Sequence, residues 1–571
     1  MDSETHLVRC PVGRCDNCPE KMASGCRRLK HVQKSSVDET QAVLIEPERG
    51  FLHLCKINDL QQIYPPWYVD GWETVFVGID CPLLKESNDV LDIYKVGPYL
   101  AFFKTNEYYT QFYSIPIVRT SLEYSLVDEL SNSAIQFKDS EISVREGLAQ
   151  RLERTIDVIS KHILQLIPEI NEATRLNLSR IVSQRRSVLG PIFPILLDDL
   201  VEEVYLDYPG ACVYFDHQRF GRCNTTLTFE ENDVPRIITL LRAESNLHLD
   251  RTNPSLKMDL QILGASLRFS LSIPPLSPDG LHLEIRRARN HPFTTTDLVH
   301  NKTLTPEVAA ILLLAVACRF NITITGGPGT GKTTLLNALD MTTPRWWRKI
   351  YIEDAIESRN QEKHHQVRFR VDPIDEKLSK SDKSSEIIKS LHRSPDYLIL
   401  GEIQTAEHSN ALFQAIAAGL RTIQTCHSDS SSSLVSRWKL SHGIQDSNLA
   451  LMDLIVTLER PRPGESIRRV KEIVEIRREK CDGLTQFSGL NVVYDVRNGH
   501  GDWAHDGAFL SYANDVGIDS PIPALNSLVD LLTKEIHEDR IDILSEQLWS
   551  NGHPMNFVRD KSKGNNPFWG L

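Results

Sequence analysis

Gly326, Gly331, Lys332 and Thr333 satisfy G-x-x-x-x-G-K-[ST] without a mismatch; Gly327, Pro328, Gly329 and Thr330 fill the loop and Thr334 follows it. Glycines in such a loop let successive backbone N–H groups turn toward one anion, so this spacing points to a bound phosphate chain. Lys332 is expected to reach the β- and γ-phosphates, and Thr333 to hold Mg²⁺. Two apolar runs that close on acids add to this chemistry. They are Tyr397-Leu398-Ile399-Leu400-Gly401-Glu402 and Ile350-Tyr351-Ile352-Glu353-Asp354. Read as parallel strands, with Glu402 on a strand next to the P-loop, they bring two carboxylates near one triphosphate. One can support the metal while the other activates water. His427, in Thr425-Cys426-His427-Ser428-Asp429, could sense a γ-phosphate, although a lone histidine is more often structural or solvated.

A second set of reactive groups sits at the start of the chain. Cys10-x4-Cys15-x2-Cys18-x7-Cys26 offers four thiolates in a segment too short to build a core. Zn²⁺ would satisfy them tetrahedrally and fold the segment. The C-x4-C-x2-C start also has plant-type iron–sulfur spacing. Four free cysteines is the third reading. The other seven of the eleven cysteines are scattered.

These groups need elements to hold them. The β-branched run Ile322-Thr323-Ile324-Thr325 leads into the glycine loop as a strand, and Thr334 to Leu339 leads out as a helix. Thr305 and Pro306 read as N-cap and first position of a helix that opens the nucleotide domain. That domain alternates strands and helices over residues 305–480, an α/β arrangement. A C-terminal extension, 481–571, carries a helix candidate from about Ala524 to Leu548. Before the nucleotide domain, residues 190–300 form an arginine-rich α+β domain, and Asp297 to Thr305 reads as a linker. Its strand candidates are Val201–Asp207, Ala211–Phe215 and Leu267–Ile273, with a helix at Val234–Glu244. Residues 43–130 make a further N-terminal α+β domain rich in aromatics, either packed together or forming an aromatic ligand site. Within 140–170, apolar residues at helical spacing and a Ser143/Glu146 capping box mark a connector helix. Residues 1–31 hold the Cys-rich segment. Ser379–Ser385 reads as a mobile surface loop.

Composition limits the partners. The 571 residues carry a net charge of −12, which disfavours a non-specific nucleic-acid binder. The longest apolar run, Val308 to Cys318, is too short to span a bilayer. Met1-Asp2-Ser3-Glu4 is acidic where a secretory signal is basic. The expectation is a cytoplasmic protein that reaches the inner face of the membrane through a partner.

The order of motifs carries a resemblance. The P-loop is followed by Ile352-Glu353-Asp354-Ala355-Ile356-Glu357, then Arg393-Ser394-Pro395-Asp396-x4-Gly401-Glu402, then Thr425-x-His427-x-Asp429-Ser430. Upstream lie Pro254 to Lys257, Arg268, Pro274 to Gly280 and Glu284-Ile285-Arg286-Arg287. This set resembles the type II/type IV secretion ATPase superfamily, closest in flavour to its archaeal pilus, archaellum and secretion branch. The resemblance implies a PAS-like domain that hands arginines to nucleotide, followed by a RecA-like ATPase domain. It implies a homo-hexamer that hydrolyses ATP with Mg²⁺ and passes motion to a polytopic membrane platform. Glu353 would activate water, Glu402 would be the Walker B acid and His427 the γ-phosphate sensor. Arg268, Arg286 and Arg287 would contact nucleotide or a neighbouring subunit, and Arg368 and Arg370 would be arginine-finger candidates. An ordinary surface or ion-pairing role stands beside each arginine assignment. The sequence departs from the family at Gln404, His392 and Leu420, where the family has Arg, Arg and His.

Three other readings stay open. A nucleic-acid-dependent RecA-like motor would need a basic stripe, which is absent. A GTPase switch would need a base-reading Asn-Lys-x-Asp, also absent downstream of the P-loop. An ATP-binding scaffold without turnover is compatible with Gln404 and Leu420.

Overall fold

Residues 255–262 and 265–272 alternate buried and more exposed positions throughout, the signature of strands with one face on a core. The computed structural model describes residues 41–46, 51–56, 72–76, 90–105, 109–132, 147–245, 247–288, 292–354, 356–371, 382–534, 548 and 553–557. The chain divides into two compact units between residues 290 and 291.

In the first unit, β1 (Gln41–Glu46), β2 (Phe51–Lys56) and β3 (Trp72–Phe76) form an antiparallel sheet. A larger sheet contains β4 (Val90–Val96), β5 (Tyr99–Thr105), β6 (Thr110–Pro116), β7 (Val201–Leu206), β8 (Cys212–His217), β9 (Gly221–Thr228), β10 (Ser255–Ile262), β11 (Ala265–Ser272) and β12 (His282–Ala288). Its order among the described residues is β10-β11-β12-β7-β8-β9-β6-β5-β4. The join is the short parallel pairing of β6 with β9, Thr110 with Cys223 and Gln111 with Asn224. Strands 90–116 therefore extend the sheet of the arginine-rich segment instead of building a sheet of their own, which revises the division into separate α+β domains.

Helices α1 (Ser121–Asn132), α2 (Leu148–Leu166), α3 (Glu172–Arg186) and α4 (Val234–Ser245) belong to this unit. The expected connector helix is α2. It buries Leu148, Leu152, Ile159 and Ile163 in the cores of its own unit, so it is packed along its length. The Ser143/Glu146 capping box, Tyr64, Trp67, Tyr68 and Tyr108 lie outside the described residues.

The second unit opens with α5 (Thr295–His300), where a linker is expected. Thr294 and Asp297 form a capping box there, so local hydrogen bonding makes a helix of the segment. Helix α6 (Pro306–Ala317) follows with Thr305 as its N-cap, accepting from the Val308 amide. Its residues from Val308 to Ala317 are all buried, as its uniformly apolar sequence requires.

The sheet comprises β13 (Ile322–Gly326), β14 (Arg348–Glu353), β15 (His365–Arg370), β16 (Tyr397–Ile403), β17 (Thr422–His427), β18 (Leu454–Glu459), β19 (Arg469–Cys481), β20 (Leu484–Asp495) and β21 (Gly499–His500). Its order is β15-β14-β16-β17-β13-β18-β19-β20-β21, parallel from β15 to β18 and antiparallel beyond. Helices α7 (Lys332–Met341), α8 (Lys383–Lys389), α9 (Ala406–Ala417) and α10 (Ser431–Ser436) fall within this run. Beyond it lie α11 (Ala508–Asp515) and α12 (Ile522–Lys534).

The expected domain boundary at 480/481 falls at the tip of the β19–β20 hairpin, so nucleotide domain and extension share one sheet. They also share a core. Ala508, Phe509, Leu525 and Leu528 pack in the same cluster as α6, Ile322 and Leu335. Glu475 on β19 is fully buried and accepts from the amides of Phe509 (3.0 Å) and Ala504 (3.4 Å) and from Asn491 Nδ2 (3.1 Å). Burial pushes its carboxyl up, against the pull of these donors.

A second buried network lies under the glycine loop's helix. Lys349 Nζ donates to Asp340 Oδ1, Thr343 Oγ1 and Gln361 Oε1 at 2.8–2.9 Å, and Tyr351 OH donates to Asp340 Oδ2 at 2.8 Å. It joins the C-terminal turn of α7 to β14 and to the loop after Glu353. Burial lowers the Lys349 ammonium even with Asp340 beside it.

Candidate active site

The glycine loop hangs between the end of β13 and the first turn of α7. Gly326, Gly329 and Gly331 have φ of 152°, 67° and 92°. A β-carbon on Gly326 would stand 2.6 Å from both the Leu458 carbonyl oxygen and Thr330 Oγ1, so only glycine fits. The result is a concave stretch of backbone at a helix N-terminus, suited to phosphate oxygens. Thr333 and Thr334 stand half-buried in the first turn of α7. Pro328 is exposed on the loop.

Lys332 is buried, and its ammonium donates to the carbonyls of Gly326 (3.0 Å) and Gly327 (2.8 Å). Its Nζ also lies 3.2 Å from His427 Nδ1. Parallel pairing of β13 with β17 sets Gly326 opposite His427, which is how the histidine reaches the loop. On its other side, His427 Nε2 meets Glu402 Oε1. Glu402 Oε2 accepts from Gln404 Nε2 at 2.6 Å. Burial pushes the Glu402 carboxyl up. The contacts with His427 and Gln404, with Lys332 nearby, outweigh it and hold the group below the ordinary value. The strand carrying Glu402 is not the immediate neighbour of the P-loop strand: β17 lies between them, and His427 spans the gap.

Glu353 ends β14, one strand further out. Its Oε1 accepts from the amides of Ser358 (2.9 Å) and Glu357 (3.1 Å), and its Oε2 from Ser358 Oγ (2.5 Å). Burial raises the Glu353 carboxyl despite these donors, the direction that suits a base. Gly401 gives it room, since a β-carbon there would be 3.3 Å from Glu353 Cγ. Four groups thus follow one another along the carboxyl edge of the parallel strands: glycine loop, His427, Glu402 and Glu353.

Several residues here escape sequence reading. Lys383, inside the stretch expected to be a mobile loop, is buried. Its Nζ is 2.5 Å from Asp354 Oδ2 and 2.9 Å from the Glu402 carbonyl oxygen. From Asp382 onward that stretch opens α8, with Asp382 as N-cap. Arg468 Nε donates to the Gly329 carbonyl at 2.8 Å, from the turn between β18 and β19. Arg460 reaches the same loop, since a β-carbon on Gly329 would be 3.6 Å from its Nη1. No linear pattern ties residues 139 positions apart, so only the fold reveals the Arg468 contact.

The arginines separate by environment. Arg368 Nη1 donates to the Ser358 carbonyl at 3.3 Å, beside the loop that holds Glu353. Arg370 is in register with Glu353 on the neighbouring strand. In the first unit Arg268 pairs with Asp259 at 3.0 Å, and Arg286 is exposed. Arg287, expected to contact nucleotide or a neighbouring subunit, is buried. It bonds the Leu196 carbonyl and Asp199, because alternation along β12 turns it to the core face. Cys10, Cys15, Cys18 and Cys26 lie outside the described residues. Among the described residues no group of three or more His, Cys, Asp or Glu side chains is arranged to hold a metal. Nor is any helix among them long and apolar enough to cross a membrane.

Residues 226–466 match the family model described as Type II/IV secretion system protein. An uncharacterized protein of Methanocaldococcus jannaschii, MJ0781, is 30% identical over 238 residues, covering 40% of this chain and 32% of that protein. The match therefore spans about a third of that relative's length. The conjugal transfer protein TrbB of Rhizobium radiobacter is 27% identical over 312 residues, 52% of this chain and 90% of TrbB. The crystal structure of the VirB11 ATPase from the Brucella suis type IV secretion system, in complex with sulphate, is similar at 20% identity. That match covers 51% of this chain and 95% of that one, with a TM-score of 0.26.

Proposed function

We propose, from the match of residues 226–466 to the family model described as Type II/IV secretion system protein, that the chain is an ATP-hydrolysing motor. The motor works as a homo-hexamer and drives pilus-like assembly, archaellum movement or protein secretion through a polytopic membrane platform. The observation that carries this reading is the succession of glycine loop, His427, Glu402 and Glu353 along one sheet edge. Each group has a task in phosphoryl transfer to water. The glycine loop and Lys332 cradle the phosphates. Thr333 and Glu402 would hold Mg²⁺, whose part is to neutralise charge on the phosphates. Glu353, raised by burial, orients and deprotonates the water. His427, between Lys332 and Glu402, reads whether the terminal phosphate is present. Arg368, Arg370, Arg268 and Arg286 are proposed for transition-state charge or the neighbouring subunit; Arg287 is not, because its ion pair is internal. The motor is proposed to act at the inner face of the membrane through its platform. The N-terminal thiolates are proposed to hold zinc or an iron–sulfur cluster, which metal analysis of the purified chain distinguishes.

Particle mass by light scattering and ATP turnover, each with and without nucleotide, test the reading. Six subunits with a non-hydrolysable ATP analogue, and turnover lost in Glu402→Gln, are the expected results. Binding without turnover would favour a scaffold. Turnover that requires DNA would favour a nucleic-acid motor.

A further inference from the structure

The ladder between β16 and β17 pairs Leu400 with Gln424 and resumes at Ile403 with Cys426. Gly401 and Glu402 thus face the single residue Thr425, which is a β-bulge. A bulge re-aims a side chain but leaves backbone groups without ladder partners. Here both carbonyls are met by side chains. Thr425 Oγ1 donates to the Gly401 carbonyl, and Lys383 Nζ donates to the Glu402 carbonyl at 2.9 Å.

Lys383 comes from the first turn of α8 and is 2% exposed. An ammonium so buried persists only when paired. Its partner is Asp354 Oδ2 at 2.5 Å, one residue beyond Glu353. One cation therefore ties the end of β14, which carries Glu353, to the bulge of β16, which carries Glu402. Lys332 serves the opposite side of Glu402 through His427. The two lysines bracket the acids from either end.

We propose that Lys383 is a positioning residue of this site. It holds the bulge that turns the Glu402 carboxylate toward His427, and it fixes the spacing between the Glu353 and Glu402 strand ends. The kinetic consequence rests on the ATPase reading above; the structural one does not.

The test compares wild type, Lys383→Met, Lys383→Arg and Asp354→Asn in the full-length chain. Turnover, affinity for a fluorescent ATP analogue, and backbone amide exchange over Gly401 to Gln404 are measured. Small misplacements of catalytic groups are costly, so Lys383→Met should lose at least about tenfold in kcat while nucleotide affinity stays within about threefold. Exchange over the bulge should quicken by about tenfold, since the local structure opens more readily. Lys383→Arg should recover part of both effects. Asp354→Asn, which keeps the lysine and the side-chain volume, should show a smaller loss and serves if the methionine variant does not fold. Wild-type kcat and wild-type exchange in Lys383→Met would overturn the proposal. So would parallel losses of affinity and turnover, the mark of general damage. If the wild type binds nucleotide but never turns it over, the ATPase reading fails, and the exchange arm alone decides for or against Lys383.

Discussion

The ammonium of Lys332 lies 3.2 Å from Nδ1 of His427. An ammonium can only donate, so Nδ1 must be the bare nitrogen and Nε2 carries the proton that faces Glu402. The contact thus favours the arrangement with the ring proton on Nε2. On the proposed ATPase reading, a phosphate that draws Lys332 away would free Nδ1 and make His427 responsive to what occupies the loop. Lys332→Ala should reduce turnover by at least about 10²-fold, the scale seen when one preorganised donor is removed. Steady-state ATPase kinetics check this. Loss smaller than tenfold would mean that Lys332 is not the phosphate ligand.

Glu402 is held below the ordinary carboxylate value against its own burial by His427 and Gln404, with Lys332 nearby. A depressed folded-state value contributes stability above the unfolded value, and that stability fades as pH falls through the folded one. Glu402→Gln should therefore be less stable than wild type at pH 7, with the gap narrowing below about pH 4.5. Urea unfolding across pH reads this. A gap independent of pH would contradict the electrostatic account.

Glu353 moves the other way, raised by burial. A general base must be ionised, so turnover should fall on the acid side around a value above the ordinary glutamate range. Ser358→Ala removes the 2.5 Å hydroxyl donor that stabilises the charged form. It should shift that acid limb to higher pH. A pH–kcat profile of the two proteins makes the comparison, and coincident limbs would rule Glu353 out as the titrating base.

Arg286 and Arg287 are neighbours with opposite fates. Arg287 is buried against Asp199 and the Leu196 carbonyl, whereas Arg286 is exposed. Arg287→Ala removes a buried guanidinium that bonds the Leu196 carbonyl, with Asp199 itself mostly exposed, and should cost about 1–3 kcal/mol of stability. Arg286→Ala should leave stability within about 0.5 kcal/mol while lowering turnover in the assembled protein. Thermal unfolding and ATPase assays on the two variants separate the roles. Equal destabilisation would refute the division.

Much of the second unit is legible in the sequence because its signals are local. The glycine loop, the β-branched run before it and the Thr305–Pro306 helix start each depend on residues a few positions apart. Both acidic strand ends could be read the same way, from apolar runs closing on Glu353 and Glu402. Strand order could not be read, because nothing in either run tells that β17 inserts between β16 and β13. Lys383 was hidden by composition. Its polar neighbours suggest solvent, yet a single buried salt bridge overrides that preference. Arg287 was hidden by alternation, one position out of phase with Arg286. The merging of strands 90–116 with the later sheet hangs on two residue pairs between β6 and β9, which carry no sequence signal of their own.

Glu475 and the cluster around Phe509 have a consequence for synthesis. The ribosome delivers α6 and the glycine loop well before it delivers Phe509, Leu528 and Met555, which complete their shared core. At about 5–20 residues per second that interval lasts roughly 10–45 s. Throughout it, the apolar surface of α6 lacks part of its cover; the Glu475 carboxylate, made later, waits about 2–7 s for the Ala504 and Phe509 amides that donate to it. The second unit therefore closes its core only after Phe509, Leu528 and Met555 have been made. Its period of greatest exposure to aggregation is set by the stretch that carries Phe509, Leu528 and Met555, not by the glycine loop or the acidic strand ends.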